Sequence, residues 1–260
     1  MNQENKIGLV LSGGGFRGAA HIGVIKAMNE RNIVPSFISG TSAGAIIGAL
    51  YAAGYEWQDM YKFLKSIDIF NFKNYTFNKA GILDSDKYAK LFQNKFPDNR
   101  FEALEIPLFI ATTDLIEAKT RFYFEGELIP PLVASASLPG IFSPVKFNNR
   151  LLCDGGVTNN LPVEPLISFS DKIIGVYVNP LQEMAPSNLT STRSVLERAY
   201  LIMRNSISQE NLNKCDILIA PEALNNFNIL SKSKIKYIFQ LGYEEACKKL
   251  DAYLEEEGKF

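Results

Sequence analysis

Histidine is all but missing from this sequence: His21 is the only one among 260 residues. Cysteine is nearly as scarce. Cys153, Cys215 and Cys247 are an odd number, at spacings that match neither a metal site nor a redox pair, which predicts free thiols in a reducing compartment. Neither sign of charge is in excess, with 27 basic residues facing 28 acidic ones for a net charge of −1. No global field therefore favours nucleic acid or an anionic membrane, and nucleic acid is not expected as a partner. Long hydrophobic runs are lacking too. The most apolar helical stretch, Ala43 to Tyr55, is well short of the roughly 20 residues that cross a bilayer, so it reads as a buried helix. The opening Met1 to Lys6 has no charged n-region, apolar h-region or small-residue cleavage site, and a cytoplasmic protein is expected. No internal repeat and no low-complexity tract is visible.

What is present is an apolar fraction of 47%, enough for one sizeable core, so a single domain over residues 1–260 is expected. Lys6 to Leu11 is a short apolar run stopped by Ser12 and three glycines, as in a buried strand entering a tight turn, and a helix is predicted from about Arg17 to Arg31. Ser36 to Ser39 predicts a second strand, which Gly40-Thr41-Ser42-Ala43-Gly44 turns into the apolar helix. Residues 56–105 are mostly polar and aromatic, with one helix predicted around Asp86 to Asn94. The aromatic stretch Phe70 to Phe77 reads as an acyl-binding lid or as ordinary packing. Strands are predicted at Ile106 to Thr113, Thr120 to Phe124, near Val145 and Leu151, and at Ile173 to Val178 and Asp216 to Ala220. Helices follow at Pro131 to Ser137, up to Asn213, and over Lys232 to Glu257. Strands alternating with helices imply an α/β fold with a mainly parallel sheet covered on both faces, and ligands at the carboxyl ends of its strands.

Three turns are candidates for chemistry. Gly40 to Gly44 has the pattern of a nucleophile elbow, in which a serine rides a strained strand-to-helix turn with its hydroxyl projecting from the sheet. His21 precedes Ser42, and this order excludes the Ser, Asp, His sequence of an α/β-hydrolase triad. A carboxylate is the remaining candidate for the base. Asp154 stands at a strand end before Gly155 and Gly156, and Asp114 after another strand competes with it. An aspartate with a pKa of about 3.9 is a poor base at neutral pH unless its site raises that value. Gly13-Gly14-Gly15-Phe16-Arg17-Gly18 formally fits a dinucleotide-binding fingerprint, yet no Asp or Glu lies between Arg31 and Tyr55 to hold a ribose. An oxyanion hole made of bare glycine amides, with Arg17 near, suits the same residues; a phosphate cradle in a nucleotide-binding or regulatory protein is the alternative.

Four blocks in order resemble the patatin-like phospholipase family, and its small bacterial members in particular. They are Gly13 to Gly18, Gly40 to Gly44, Ala134-Ser135-Ala136-Ser137-Leu138-Pro139, and Asp154-Gly155-Gly156. The similarity covers about residues 6–166, residues 167–260 completing the domain, and Gly242 to Ala246 is also similar to the bacterial members. The resemblance implies a three-layer α/β/α sandwich and a Ser42–Asp154 dyad that hydrolyses acyl esters of lipid-like substrates without histidine, metal or cofactor. It assigns the Gly13, Gly14 and Gly15 amides and Arg17 to the oxyanion site, and leaves His21 outside the dyad. Esterases and transacylases are found in the same family, and transient contact with a membrane surface is compatible with all of them.

Overall fold

The computed structural model describes residues 5–68, 83–229 and 232–257, so the aromatic stretch at 70–77 lies outside the described residues. The strands are β1 (Ile7–Leu11), β2 (Phe37–Thr41), β3 (Leu108–Asp114), β4 (Lys119–Tyr123), β5 (Val145–Phe147), β6 (Arg150–Asp154), β7 (Lys172–Val176) and β8 (Ile217–Ile219). Between and after them lie α1 (Ala19–Asn29), α2 (Ala43–Ala52), α3 (Trp57–Ser66), α4 (Ser85–Gln93), α5 (Ile129–Ser135), α6 (Glu164–Ile167), α7 (Thr192–Leu212) and α8 (Ile235–Glu257). All eight strands join one sheet in which β3, β2, β1, β7 and β8 run parallel, while β4, β5 and β6 add by antiparallel pairing.

The apolar run of β1 is continuous because both faces of the strand are covered. Leu9 and Leu11 pack with α1, α2 and α8, whereas Val10 faces Leu161, Val163 and Leu166 on the other side. Each such fully buried leucine or isoleucine contributes about 1.5–3 kcal/mol of transfer free energy. Helices cover both faces of the sheet as expected. Where α8 crosses α1, a Cβ at Gly242 would stand 2.6 Å from the Ala20 Cα, so the two backbones meet only because glycine is there.

Two departures from the sequence reading have simple causes. Helix α1 begins at Ala19 rather than near Arg17, because Gly15 takes a left-handed φ of 57° and residues Gly15–Gly18 form a 3-10 turn first. Helix α3 lies in the stretch read as polar and aromatic. Met60, Phe63 and Leu64 sit three to four residues apart and are its buried face, and Asp59, Lys62 and Lys65 between them dilute the signal.

Strand β3 has three neighbours but only two flanks. β4 pairs with Ile110 to Asp114, overlapping both β2, which ends at Thr41↔Ala111, and β6, which ends at Asp154↔Thr112. β2 and β6 must therefore share the flank opposite β4, and they run toward each other along it. Their ends abut at Ser42 and Asp154. The Asp-Gly-Gly turn leaves β6 at its carboxyl end, as the sequence reading has it, and β6 itself pairs antiparallel with β3.

Candidate active site

Ser42 follows β2 directly and caps α2 with φ 53° and ψ −119°, the left-handed conformation that an elbow imposes on its nucleophile. The turn is held from outside. The Ser42 amide donates to Ser135 Oγ at 2.8 Å, and Ser135 Oγ donates in turn to the Ala111 carbonyl at 2.6 Å. Ala111 lies at the gap where β2 stops and β6 starts, so this hydroxyl stands in for a missing strand. Two residues on, the Ser137 carbonyl accepts the Asp154 amide at 3.0 Å. The Ala134 to Pro139 block thus grips both candidate catalytic residues, a role its small residues do not disclose in sequence. Ser135→Ala leaves a buried amide and a buried carbonyl without partners, at about 1–3 kcal/mol each. It is expected to lower the denaturant midpoint and to slow reaction of Ser42 with a fluorophosphonate by about tenfold, the loss of one hydrogen bond's worth of positioning.

Asp154 is 2% exposed. Its Oδ1 accepts the Gly156 amide at 2.7 Å and lies 3.6 Å from Arg204 Nη2. Burial pushes its pKa above the ordinary carboxylate value, against the opposing pull of Arg204, the Gly156 amide and the Ser42 hydroxyl. A raised pKa makes the carboxylate a stronger base than a free aspartate, and the Ser42 hydroxyl is hydrogen-bonded to it.

Ser42 and Asp154 open on one cavity. Ile46, Leu64, Phe92, Val133, Leu138 and Phe142 line much of it, so its walls are largely apolar. Gly15 and Phe16 line it as well. The Gly13 amide is used inside the fold, donating to the Asn160 carbonyl at 3.2 Å, whereas those of Gly14 and Gly15 open the 3-10 turn and bond to no group among the described residues.

The structure does not bring Arg17 to this cavity. Its buried guanidinium donates to the Phe227 carbonyl at 2.7 Å and the Val178 carbonyl at 3.4 Å, on the far side of the glycine turn, and burial lowers its pKa to about 10. The cation that does face Ser42 and Asp154 is Arg204 of α7. Sequence reasoning misses it; the available signal is an arginine on the inward helical stripe Leu201, Arg204, Ser208, Asn211, all buried. His21 is fully buried, bonds through Nε2 to the Ser12 carbonyl at 2.8 Å, and is kept neutral by burial, its pKa lowered to about 4. It braces the start of the glycine turn. Asp114, the competing carboxylate, is bonded by the Ile116 and Glu117 amides and by Arg150, which hold its pKa down to about 2 against the cost of burial. Such a carboxylate is a weak base. Among the described residues no helix is long and apolar enough to cross a membrane, and no cluster of three potential metal-binding side chains is found.

Known proteins resemble this chain in sequence and in fold. A sequence model of the patatin-like phospholipase family matches residues 9–167. An uncharacterized NTE family protein of Mycobacterium bovis is 34% identical over 177 residues, which is 67% of this chain and 49% of its own. The lysophospholipase NTE1 of Kluyveromyces lactis is 26% identical over 269 residues, covering 91% of this chain and 18% of its own. This chain thus spans about half the length of the mycobacterial relative and less of the yeast one. VipD from Legionella pneumophila superposes with a TM-score of 0.64 over 96% of this chain and 67% of its own, at 14% identity, a likeness of fold. With the matched span covering more than half of its residues, the chain belongs to the patatin-like phospholipase family.

Proposed function

We propose that this protein is a serine acyl hydrolase that cleaves carboxylic esters of lipid-like substrates. Ser42 attacks the ester carbonyl as Asp154 accepts its proton; the alcohol leaves, and water hydrolyses the acyl-enzyme. The developing oxyanion is placed against the Gly14 and Gly15 amides near the positive end of α2. The observation that carries this reading is the abutment of β2 and β6, which brings a strained serine and a buried carboxylate to the wall of one largely apolar cavity. A phosphate cradle is less well served, since the cavity beside the glycine turn is lined for a hydrocarbon chain. The esterolytic names of relatives, such as the yeast lysophospholipase, point the same way.

Residues beyond the matched span belong to the same working unit in this proposal, because α7 closes one wall of the cavity through Arg204. Leu196 and Met203, exposed on that helix, are where transient contact with a lipid surface would fall. The three free thiols suit a reducing, cytoplasmic setting.

A series of nitrophenyl esters tests the substrate class. Each methylene buried contributes up to about 0.8 kcal/mol, so kcat/KM is expected to rise at least tenfold from acetyl to octanoyl. A flat profile, or a preference for acetyl, would refute the lipid-like assignment.

A further inference from the structure

Arg204 reaches the site from outside the family-matched residues and lodges between two of the glycine motifs. The side chain is 3% exposed. Its Nη2 donates to Asn160 Oδ1 and stands 3.6 Å from Asp154 Oδ1. Asn160 closes the circuit by accepting the Gly13 amide on its backbone carbonyl. A Cβ at Gly156 would stand 2.6 Å from Arg204 Cζ, and one at Gly13 would stand 2.7 Å from Asn160 Oδ1 and nearer still to Arg204 Nη2. The bare faces of these two motif glycines are what make room for the guanidinium.

We infer that Arg204 is the positioning residue that takes the place of a triad's third member, fixing the Asp154 carboxylate toward Ser42 and keeping it ionised. The inference rests on the dyad reading above. A fully buried carboxylate without a partner takes up a proton, and a protonated Asp154 could not take the proton of Ser42. A guanidinium is suited to prevent this: it stays charged, and it has no acceptor atom, so Asp154 remains the only proton acceptor of the pair. Its Nη2 faces Asn160 Oδ1 and Asp154 Oδ1 together, so the hydrogen bond to Asn160 holds the positive charge beside the carboxylate.

The titratable and charged groups that face Asp154 among the described residues are Arg204 and Tyr200 from α7 and Cys153 from its own strand, with the neutral Ser42 hydroxyl and Gly156 amide completing the shell. Burial pushes the Cys153 thiol up to about 12 and the Tyr200 hydroxyl upward as well, so neither titrates where an acidic limb falls. That limb belongs to Asp154. Removing the positive charge must raise its pKa and move the limb to higher pH, with activity recovering above it.

The test is the second-order rate of fluorophosphonate labelling at Ser42, followed against pH in the full-length wild type, Arg204→Gln and Arg204→Lys. The midpoint of the acidic limb is expected to rise by about 1–3 pH units in Arg204→Gln, the effect of removing an opposite charge at this range. Arg204→Lys should restore most of it. A rate lowered equally at every pH, with the wild-type midpoint, would make Arg204 merely structural and overturn the inference. Arg204→Met, which also lacks the charge, replaces the glutamine variant if that one does not fold. A wild-type protein that is never labelled at Ser42 would defeat the dyad reading instead, so the two failures are told apart.

Discussion

Ser42→Ala is expected to abolish both ester hydrolysis and fluorophosphonate labelling, lowering kcat by about a thousandfold or more, which corresponds to roughly 4 kcal/mol of transition-state free energy. The serine oxygen is the only atom the substitution removes. The elbow survives it, because the bonds that fix the turn run from the Ser42 amide to Ser135 and from the Thr41 hydroxyl to the Asn159 carbonyl at 2.9 Å, and neither involves the lost oxygen. Asp154→Asn should cost a similar factor for a different reason: the amide keeps the shape and can still accept the Gly156 amide, but it cannot take the proton of Ser42. Its effect on stability is expected to be far smaller than its effect on rate. Neutralising the side chain relieves the desolvation that raises its pKa, while Arg204 loses its counter-charge, and the two changes oppose each other. Hydrolysis that persists in both purified, folded variants would remove Ser42 and Asp154 from the mechanism. Activity lost in His21→Ala but kept in Asp154→Asn would return the role of base to the histidine.

Gly44→Ala should unfold the protein more readily than any substitution inside the cavity. A Cβ there would stand 2.5 Å from the Leu11 carbonyl carbon, nearer still to its oxygen, and 2.7 Å from the Ser12 carbonyl oxygen. All three are backbone atoms of β1 and its exit, held in the sheet by β2 and β7, and none can swing aside as a side chain tip could. Helix α2 must withdraw from the sheet instead. Overpacking of this kind costs about 3 kcal/mol, and a domain of this size then loses on the order of 10 °C in melting temperature. Activity should fall with it, since the same helix carries Ser42 at its first turn. A variant that melts with the wild type would show that the contact relaxes at no cost, and would weaken the claim that the elbow is held rigid by its surroundings.

Much of the architecture is legible in the residues because local rules and packing agree there. The run Ile7 to Leu11 reads as a buried strand and is one covered on both faces, and Gly40 to Gly44 reads as a sharp turn into a helix and is one. Helix α3 escaped such reading because its charged positions mask the Met60, Phe63 and Leu64 stripe. Arg17 is the instructive failure. Proximity in sequence to the glycine turn suggested proximity to the reacting oxygen, but a side chain one turn along a 3-10 segment can leave by either face, and carbonyls at Phe227 and Val178, distant in sequence, decided which.

The order of residues alone determined the kinds of group available: a serine on a strained turn, a carboxylate before two glycines, a bare amide loop, and no histidine placed to serve an α/β-hydrolase triad. Those follow from covalent constraints on φ and from side-chain chemistry, which act within a few residues. Tertiary structure decided which groups meet. Only the shared flank of β3 makes the ends of β2 and β6 abut, and only the docking of α7 puts Arg204, rather than Arg17, beside the carboxylate. Long-range contacts of this kind are selected by how buried polar groups find partners once the sheet has formed, a condition that no local pattern encodes.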